Sequence, residues 1–211
     1  MTPWTFVHVT DIHVGSPRSF RYAPAWNENW QTARRQIIDM QPDFLLVGGD
    51  VARDGLLHRY EFEAIKEDLD ALPFPYHVVP GNMDIGNKRT EVAGPTRDDP
   101  SLSVTEEGIR QFESVFGPLW WSFEYKEVRF SGFCDILVDS LLPQEEDLWR
   151  WLETQAQRPR SHHHVWLMHH ALFIDDPYEP NFDITDPDHY KDWYFGIDDP
   201  GRGRLLQVFK D

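Results

Sequence analysis

Four short stretches of the chain carry side chains that could do chemistry together. Thr10-Asp11-Ile12-His13 sets a carboxylate and an imidazole two residues apart, and Gly48-Gly49-Asp50 puts a carboxylate directly after the apolar run Phe44-Leu45-Leu46-Val47. Pro80-Gly81-Asn82-Met83-Asp84 offers a carboxamide and a further carboxylate, and Met168-His169-His170 offers two imidazoles. Carboxylate, amide and imidazole oxygens and nitrogens suit manganese, iron, zinc or magnesium, and one carboxylate can bridge two cations about 3.5–4 Å apart. Each stretch alone is commonplace, since an Asp after a strand often caps a helix or closes a turn. The conjunction carries the inference, because carboxylates gathered at one edge of a core repel each other and resist desolvation unless bound cations compensate them.

The elements that must position these residues follow from hydrophobic periodicity. Trp4 to Val9, Phe44 to Val47 and Tyr76 to Val79 read as strands. A helix over Asn29 to Met40 places Trp30, Ala33, Ile37 and Met40 on one stripe. A second, over Leu57 to Leu72, uses Tyr60, Ala64 or Ile65, Asp68 or Leu69, and Leu72. The resulting βαβαβ order implies parallel strands joined by right-handed crossovers, and ligands of such sheets gather beyond the carboxyl ends of the strands. Beyond the polar stretch Val92 to Ser101 come a helix near Thr105 to Phe116, strands Trp121 to Tyr125 and Val128 to Phe133 close enough for a hairpin, a helix near Glu145 to Gln155, and the strand Val165 to Met168. Each of the four chemical stretches thus falls at the end of an expected strand.

Composition limits the partners. The 211 residues are 40% hydrophobic, enough for one sizeable core, and no shift in composition demands a second domain. A formal charge of −16 disfavours a nucleic-acid polymer or an anionic membrane as partner and leaves small molecules. It also counts against a helical DNA-reading module, for which no basic stripe is present. The single cysteine, Cys134, reads as a small buried hydrophobe and excludes an internal disulfide framework. The start has no signal-peptide pattern and no run is long enough to span a bilayer, so the expected location is cytoplasmic.

At these residues the sequence resembles the calcineurin-like metallophosphoesterases. The likeness covers "DIH" at 11–13, "GGDVARDG" at 48–55, "GNMD" at 81–84 and the first His of "MHH" at 169, in the family's order. It implies an α/β fold, a four-layer αββα sandwich of two mixed sheets flanked by helices, with a dinuclear metal site at the carboxyl rim of the strands. Carried over by position, Asp11 and His13 would hold the first metal, Asp50 would bridge, Asn82 and His169 would hold the second, and His170 would lie behind them. The activity implied is hydrolysis of a small-molecule phosphoester, preferably a diester or an activated monoester. A metal-bridging hydroxide would attack phosphorus in line, with Asp50 and Asn82 at the reacting centre and Asp84 orienting the Asn82 loop. A binding or scaffold protein that keeps the fold without turnover is the alternative, and metal content separates the two.

Two departures from the family pattern bear on that reading. The third family motif normally carries His where this chain has Met83, and a thioether can neither donate a proton nor offer positive charge. Esters with poor leaving groups should suffer most. The family also closes its site with a Gly-His-x-His loop, which does not follow His169 here. The chain ends in "DDPGRGRLLQVFKD", an amphipathic helix of the kind that precedes that loop. The expectation is therefore one domain over 1–211, truncated at its C-terminus, with a genuinely short protein and a weak site as the alternative. His189 is a possible substitute ligand.

Candidates for a phosphate contact are Arg18, Arg21, Arg53 and the pair Lys88-Arg89. Arg53 stands where purple acid phosphatases carry an iron-binding Tyr, so an iron-tyrosinate chromophore is not expected. His162-His163-His164 reads as a solvated turn before a strand or as a metal tract. The acidic and aromatic stretch Asp175 to Asp199 reads either as a lid over the metal site, favouring a diester with an apolar or sugar-like leaving group, or as a solvated loop.

Overall fold

A computed structural model of the chain describes residues 3–88 and 103–210. Arg89 and the stretch from Val92 to Ser101 lie outside them. Strands β1 (Phe6–Val9), β2 (Phe44–Val47) and β3 (Tyr76–Val78) form a parallel sheet in the order β1-β2-β3, linked by helices α1 (Pro24–Met40) and α2 (Arg59–Asp70). The short α3 (Asn82–Ile85) and α4 (Glu106–Phe116) follow. The second sheet has the order β4-β5-β6: β4 (Trp120–Tyr125) and β5 (Val128–Phe133) pair antiparallel as the expected hairpin, and β6 (His163–Leu167) runs parallel to β5. Helix α5 (Pro143–Ala156) crosses from β5 to β6, and α6 (Pro187–Phe195) and α7 (Gly201–Lys210) complete the order.

Alternation along the strands explains the layering. All four residues of β2 are buried, yet they serve two different cores. Leu45 and Val47 pack with Trp30 and Ile37 of α1 and with Phe62 and Ile65 of α2. Phe44 and Leu46 face the other way and meet Phe130 and Leu167 of the second sheet. Between the sheets Phe44 lies edge-on to Phe130 and Phe123, with ring centroids 5.0 and 5.3 Å apart, and Trp121 Nε1 donates to Val78 O at 2.7 Å. On the outer face of the second sheet Trp166 meets Trp151 of α5 and Phe209 of α7. The arrangement is two sheets packed face to face and flanked by helices.

Several boundaries depart from periodicity. Helix α1 begins at Pro24, earlier than Asn29, because proline suits the first helical turn and the added residues, with Pro24, Ala25 and Glu28 exposed, carry no buried stripe that periodicity could register. Met40, expected on its buried stripe, is 66% exposed, since Gln41 leaves the helix in a left-handed conformation. On α2 the buried stripe is Phe62, Ile65 and Leu69, and Tyr60 lies outside it. The stretch expected as a lid or loop contains α6, capped by the Asp186 side chain with Pro187 following. Fully buried Arg202 ties this stretch down by pairing with Glu179 and Asp199, while Glu179 accepts backbone N–H bonds from Ile174, Asp175 and Asp176. Cys134 is buried, as expected, and burial raises its thiol well above its ordinary pKa.

The histidine triplet is neither a solvated turn nor part of the candidate metal cluster, because β6 begins at His163. His164 Nε2 lies 2.9 Å from Ser131 Oγ and its ring stacks on Trp166. Burial, then the charges of Arg129 and Arg158, lower its pKa to about 4 against an opposing pull from Glu124. Between pH 6.5 and 4 the unfolded chain binds this proton more readily than the folded one, so stability must fall as pH falls through that window. The full shift would be worth about 3 kcal/mol, and solvent screening at this half-buried site reduces it to roughly 1–2 kcal/mol. Urea denaturation at pH 7 and pH 4.5 should therefore show a smaller acid loss of stability in His164→Gln than in the parent; identical losses would contradict the assignment.

Candidate metal centre

The loops after β1 and β2 do not diverge where the strands end. Asp11 N donates to Gly49 O at 3.0 Å, His13 N to Asp50 O at 2.9 Å and Val14 N to Val51 O at 3.1 Å, so the two loops stay bonded side by side. Holding them there requires left-handed backbone at Asp11 (φ 56°), His13 (φ 51°) and Asp50 (φ 50°). Asp and His are among the residues that tolerate this region, and such strain persists where surrounding structure enforces it. The turn after β3 approaches Asp50 just as closely: a Cβ on Gly81 would sit 2.2 Å from Asp50 Oδ1, so only glycine admits the contact.

The side chains converge at this rim. One ligand atom each from Asp11, Asp50 and His169 lie within 4.8 Å of one another. His13 Nε2 stands 3.6 Å from Asp11 Oδ1 and 3.8 Å from Asp50 Oδ2. His169 Nε2 lies 3.5 Å from Asp50 Oδ1 and 3.2 Å from Asn82 Oδ1. His169 Nδ1 contacts Gly48 O at 2.8 Å, so the Nδ1–H donates to that carbonyl and Nε2 faces the cluster. Exposure is graded across the cluster: the Asp11 side chain is 51% exposed, His13 18% and Asp50 6%.

The electrostatics suit a cation. The His13 imidazole beside Asp11 holds that carboxyl down to about 2, so it is charged at neutral pH. Burial pushes Asp50 the other way, above the usual carboxylate range, against the opposing influence of His169 and the Met83 N–H. Burial works to lower His169, but the Asp50 and Asp135 carboxylates and the Gly48 carbonyl overcome it and raise its pKa. The donor set fits a bound metal: Asp11, Asp50 and His169 approach one another, the His13 Nε2 borders the two carboxylates, the Asn82 amide oxygen borders His169, and Asp50 is buried.

Asp84 lies behind the cluster. Fully buried, it accepts from Gly81 N at 2.9 Å, Ala52 N at 3.2 Å and Val51 N at 3.3 Å, tying the Asp50 loop to the Asn82 turn. Burial, then the Asp50 charge, raises its pKa to about 7. Met83 meets the site through its backbone, its N–H donating to Asp50 Oδ1 at 2.8 Å. His170 is paired with Asp135: its Nδ1 lies 2.7 Å from Asp135 Oδ2, and the same carboxylate accepts from His169 N at 2.7 Å. Asp135 is 1% exposed. It escaped the sequence reading although it follows β5 within two residues, the same signal that singled out Asp50.

Other candidates stand apart. Arg18 and Arg21 are exposed, and Arg21 lies over the Phe20 ring at 4.9 Å. Arg53 Nε donates to Phe20 O at 2.9 Å and its guanidinium covers Trp26 at 4.8 Å, while Trp26 lies 5.9 Å from the His13 ring. No hydrogen bond or ion pair among the described residues joins these arginines to the cluster. Lys88, expected as a phosphate contact, instead caps α6 through the carbonyls of Trp193 and Gly196. His189 pairs with Asp186 in an exposed i,i+3 contact at 3.8 Å, away from the other ligand candidates.

The chain belongs to the calcineurin-like phosphoesterase family, whose model matches residues 5–198. No curated relative matches it. Among solved structures it is similar to the purple acid phosphatase PPD1 of yellow lupin (Lupinus luteus) seeds, at 16% identity and a TM-score of 0.59, covering 98% of this chain and 35% of that one. A dimetal phosphatase from Danio rerio matches at 16% identity and a TM-score of 0.41 over 72% of this chain and 52% of that one. GAP50, the anchor in the inner membrane complex of Plasmodium, matches at 13% identity and a TM-score of 0.47 over 99% of this chain and 62% of its own. The chain thus spans less than two thirds of each. The lupin likeness shows the fold, and the family implies divalent metal cofactors.

The Gly81 contact gives a test of how the rim is built. Gly81→Ala should lower stability by about 1–3 kcal/mol through overpacking against Asp50, measured by chemical denaturation. An alanine variant as stable as the parent would show that the close approach is not enforced.

Proposed function

We propose that the chain is a metal-dependent phosphoric ester hydrolase acting on a small-molecule diester or activated monoester through a dinuclear centre. The observation that supports this best is the approach of Asp11, Asp50 and His169 to within 4.8 Å, with His13 and Asn82 at their edges. In this reading Asp11 and His13 would hold one divalent cation, Asn82 and His169 would hold the other, and Asp50 would contribute to both. Manganese, iron, zinc and magnesium all accept such ligands. When bound, the metals would supply charge for the phosphoryl oxygens and a nucleophilic water near neutral pH.

The remaining work falls to the chain itself. Asp50 is fixed by the Met83 N–H on one oxygen, which leaves its outer lone pairs to the rim. Gly48 O orients His169, and Asp84 and Asp135 hold the backbone beneath Asp50 and His169. Asp84 acts as a positioning residue, since it is fully buried. Arg53, separated from His13 by the Trp26 ring, is the arginine with a path to a bound ester; Arg18 and Arg21 stay at the exposed margin. Met83 supplies no proton to a leaving group, which favours esters whose alkoxide or phenoxide departs unaided.

Metal content tests the reading. Elemental analysis of Asp50→Asn should show most of the parent's bound metal lost; equal content would remove the bridging role. Substrate preference provides a second test. The parent should hydrolyse bis-nitrophenyl phosphate faster than an alkyl monoester, and Met83→His should narrow the gap by up to about 10²-fold through restored acid catalysis. Faster alkyl monoester turnover in the parent would contradict the diester assignment, and a metal-replete parent that turns over neither ester would favour the binding-protein alternative.

A further inference from the structure

Helix α6 sends a side chain back to the rim. Tyr194, in the last turn of α6, lies with its hydroxyl 2.8 Å from Asn82 Nδ2 and 2.9 Å from Asn87 Oδ1. Asn82 Nδ2 also donates to Asn87 Oδ1 at 3.1 Å. An amide nitrogen only donates and an amide oxygen only accepts. The phenol oxygen therefore accepts from Asn82, and its own proton goes to Asn87.

This matters because the two ends of a carboxamide have almost the same shape and opposite chemistry. Oδ1 can ligate a cation, whereas Nδ2 presents hydrogens to it. With Nδ2 engaged by Tyr194 and Asn87, Oδ1 is the end left 3.2 Å from His169 Nε2. We propose that Tyr194 is a positioning residue of the metal centre, holding Asn82 in the orientation that presents Oδ1 to a divalent cation. The inference rests on the ligand role assigned to Asn82 above. Because the phenol proton is engaged by Asn87, the role is orientation and not proton donation to a leaving group.

Tyr194 is itself held in place by the loop it serves. Lys88 Nζ donates to Trp193 O and, at 2.5 Å, to Gly196 O, and it lies 4.6 Å from the Trp193 ring centroid. An ammonium on the last carbonyls of a helix is favoured by the helix dipole. The run from Asn82 to Lys88 thus grips α6 on both sides of Tyr194, coupling residues 112 apart in sequence to one amide rotamer.

Calorimetric titration with Mn²⁺ of the whole chain tests this, using the parent, Tyr194→Phe, Asn82→Ala, the double variant, and Tyr190→Phe as a control on the same helix. Tyr194→Phe keeps the ring and should weaken Mn²⁺ binding by about tenfold, the lower end of what outer ligand partners contribute. If the effect passes through Asn82, the double variant should bind no more weakly than Asn82→Ala alone, and Tyr190→Phe should match the parent. The inference would be overturned if Asn82→Ala weakened binding while Tyr194→Phe bound like the parent, or if the two effects simply multiplied. A lower melting temperature in Tyr194→Phe with unchanged Mn²⁺ affinity would also overturn it, because a purely structural role gives that result. A parent that binds no Mn²⁺, or an Asn82→Ala variant that binds as the parent does, would refute the metal assignment itself.

Discussion

Asp50 is the residue around which the rim is organised. It ends the most deeply buried strand of the first sheet, is 4% exposed, and lies near two further carboxylates, Asp11 and Asp84. A carboxylate in that position resists ionisation unless positive charge reaches it, and burial raises its pKa accordingly. The protein provides only partial compensation through His13, His169 and one backbone N–H. Under the proposed function, a cation held between Asp50 and its neighbours would remove the remaining cost.

Placing Asp50 sets conditions on two loops. Its own backbone takes left-handed geometry, Gly81 must lack a side chain to let the β3 turn approach, and Asp84 must be buried to hold the two together. The second sheet meets the same rim through an equivalent device. Asp135 follows β5 and accepts the backbone N–H groups of His169 and His170, so the end of β6 is held to the end of β5 and His169 is aimed across the gap between the sheets. The two buried carboxylates align backbone, and the more exposed Asp11 and His13 complete the cluster at the solvent side.

Much of this was legible in the sequence because the signals are local. A short apolar run marks a buried strand, ligands gather beyond the carboxyl ends of such strands, and inspecting the residues just past each end placed Asp11, His13, Asp50, Asn82 and His169 at one rim. The residues it missed answer to tertiary contacts. Asp135 carries the same signal, but in an expected hairpin, where the rule for parallel sheets does not look. Tyr194 sits in an acidic, aromatic run that lacks apolar periodicity, and α6 forms there because of capping at Asp186 and the Lys88 contact at its far end. The placement of the cationic side chains was not legible, because proximity in sequence to a ligand says nothing of where a long side chain goes. Arg53 is held over Trp26 and Lys88 is taken up by helix carbonyls.

The central claim, that Asp50 bridges two cations at this rim, is tested most directly by crystals grown with Mn²⁺ and an anomalous difference map at the manganese edge. Two peaks about 3.5–4 Å apart, on either side of the Asp50 carboxylate, with Asp11 and His13 at one and Asn82 and His169 at the other, are the result this account predicts. A map without signal at Asp50, or with manganese bound only at exposed carboxylates elsewhere, would contradict it.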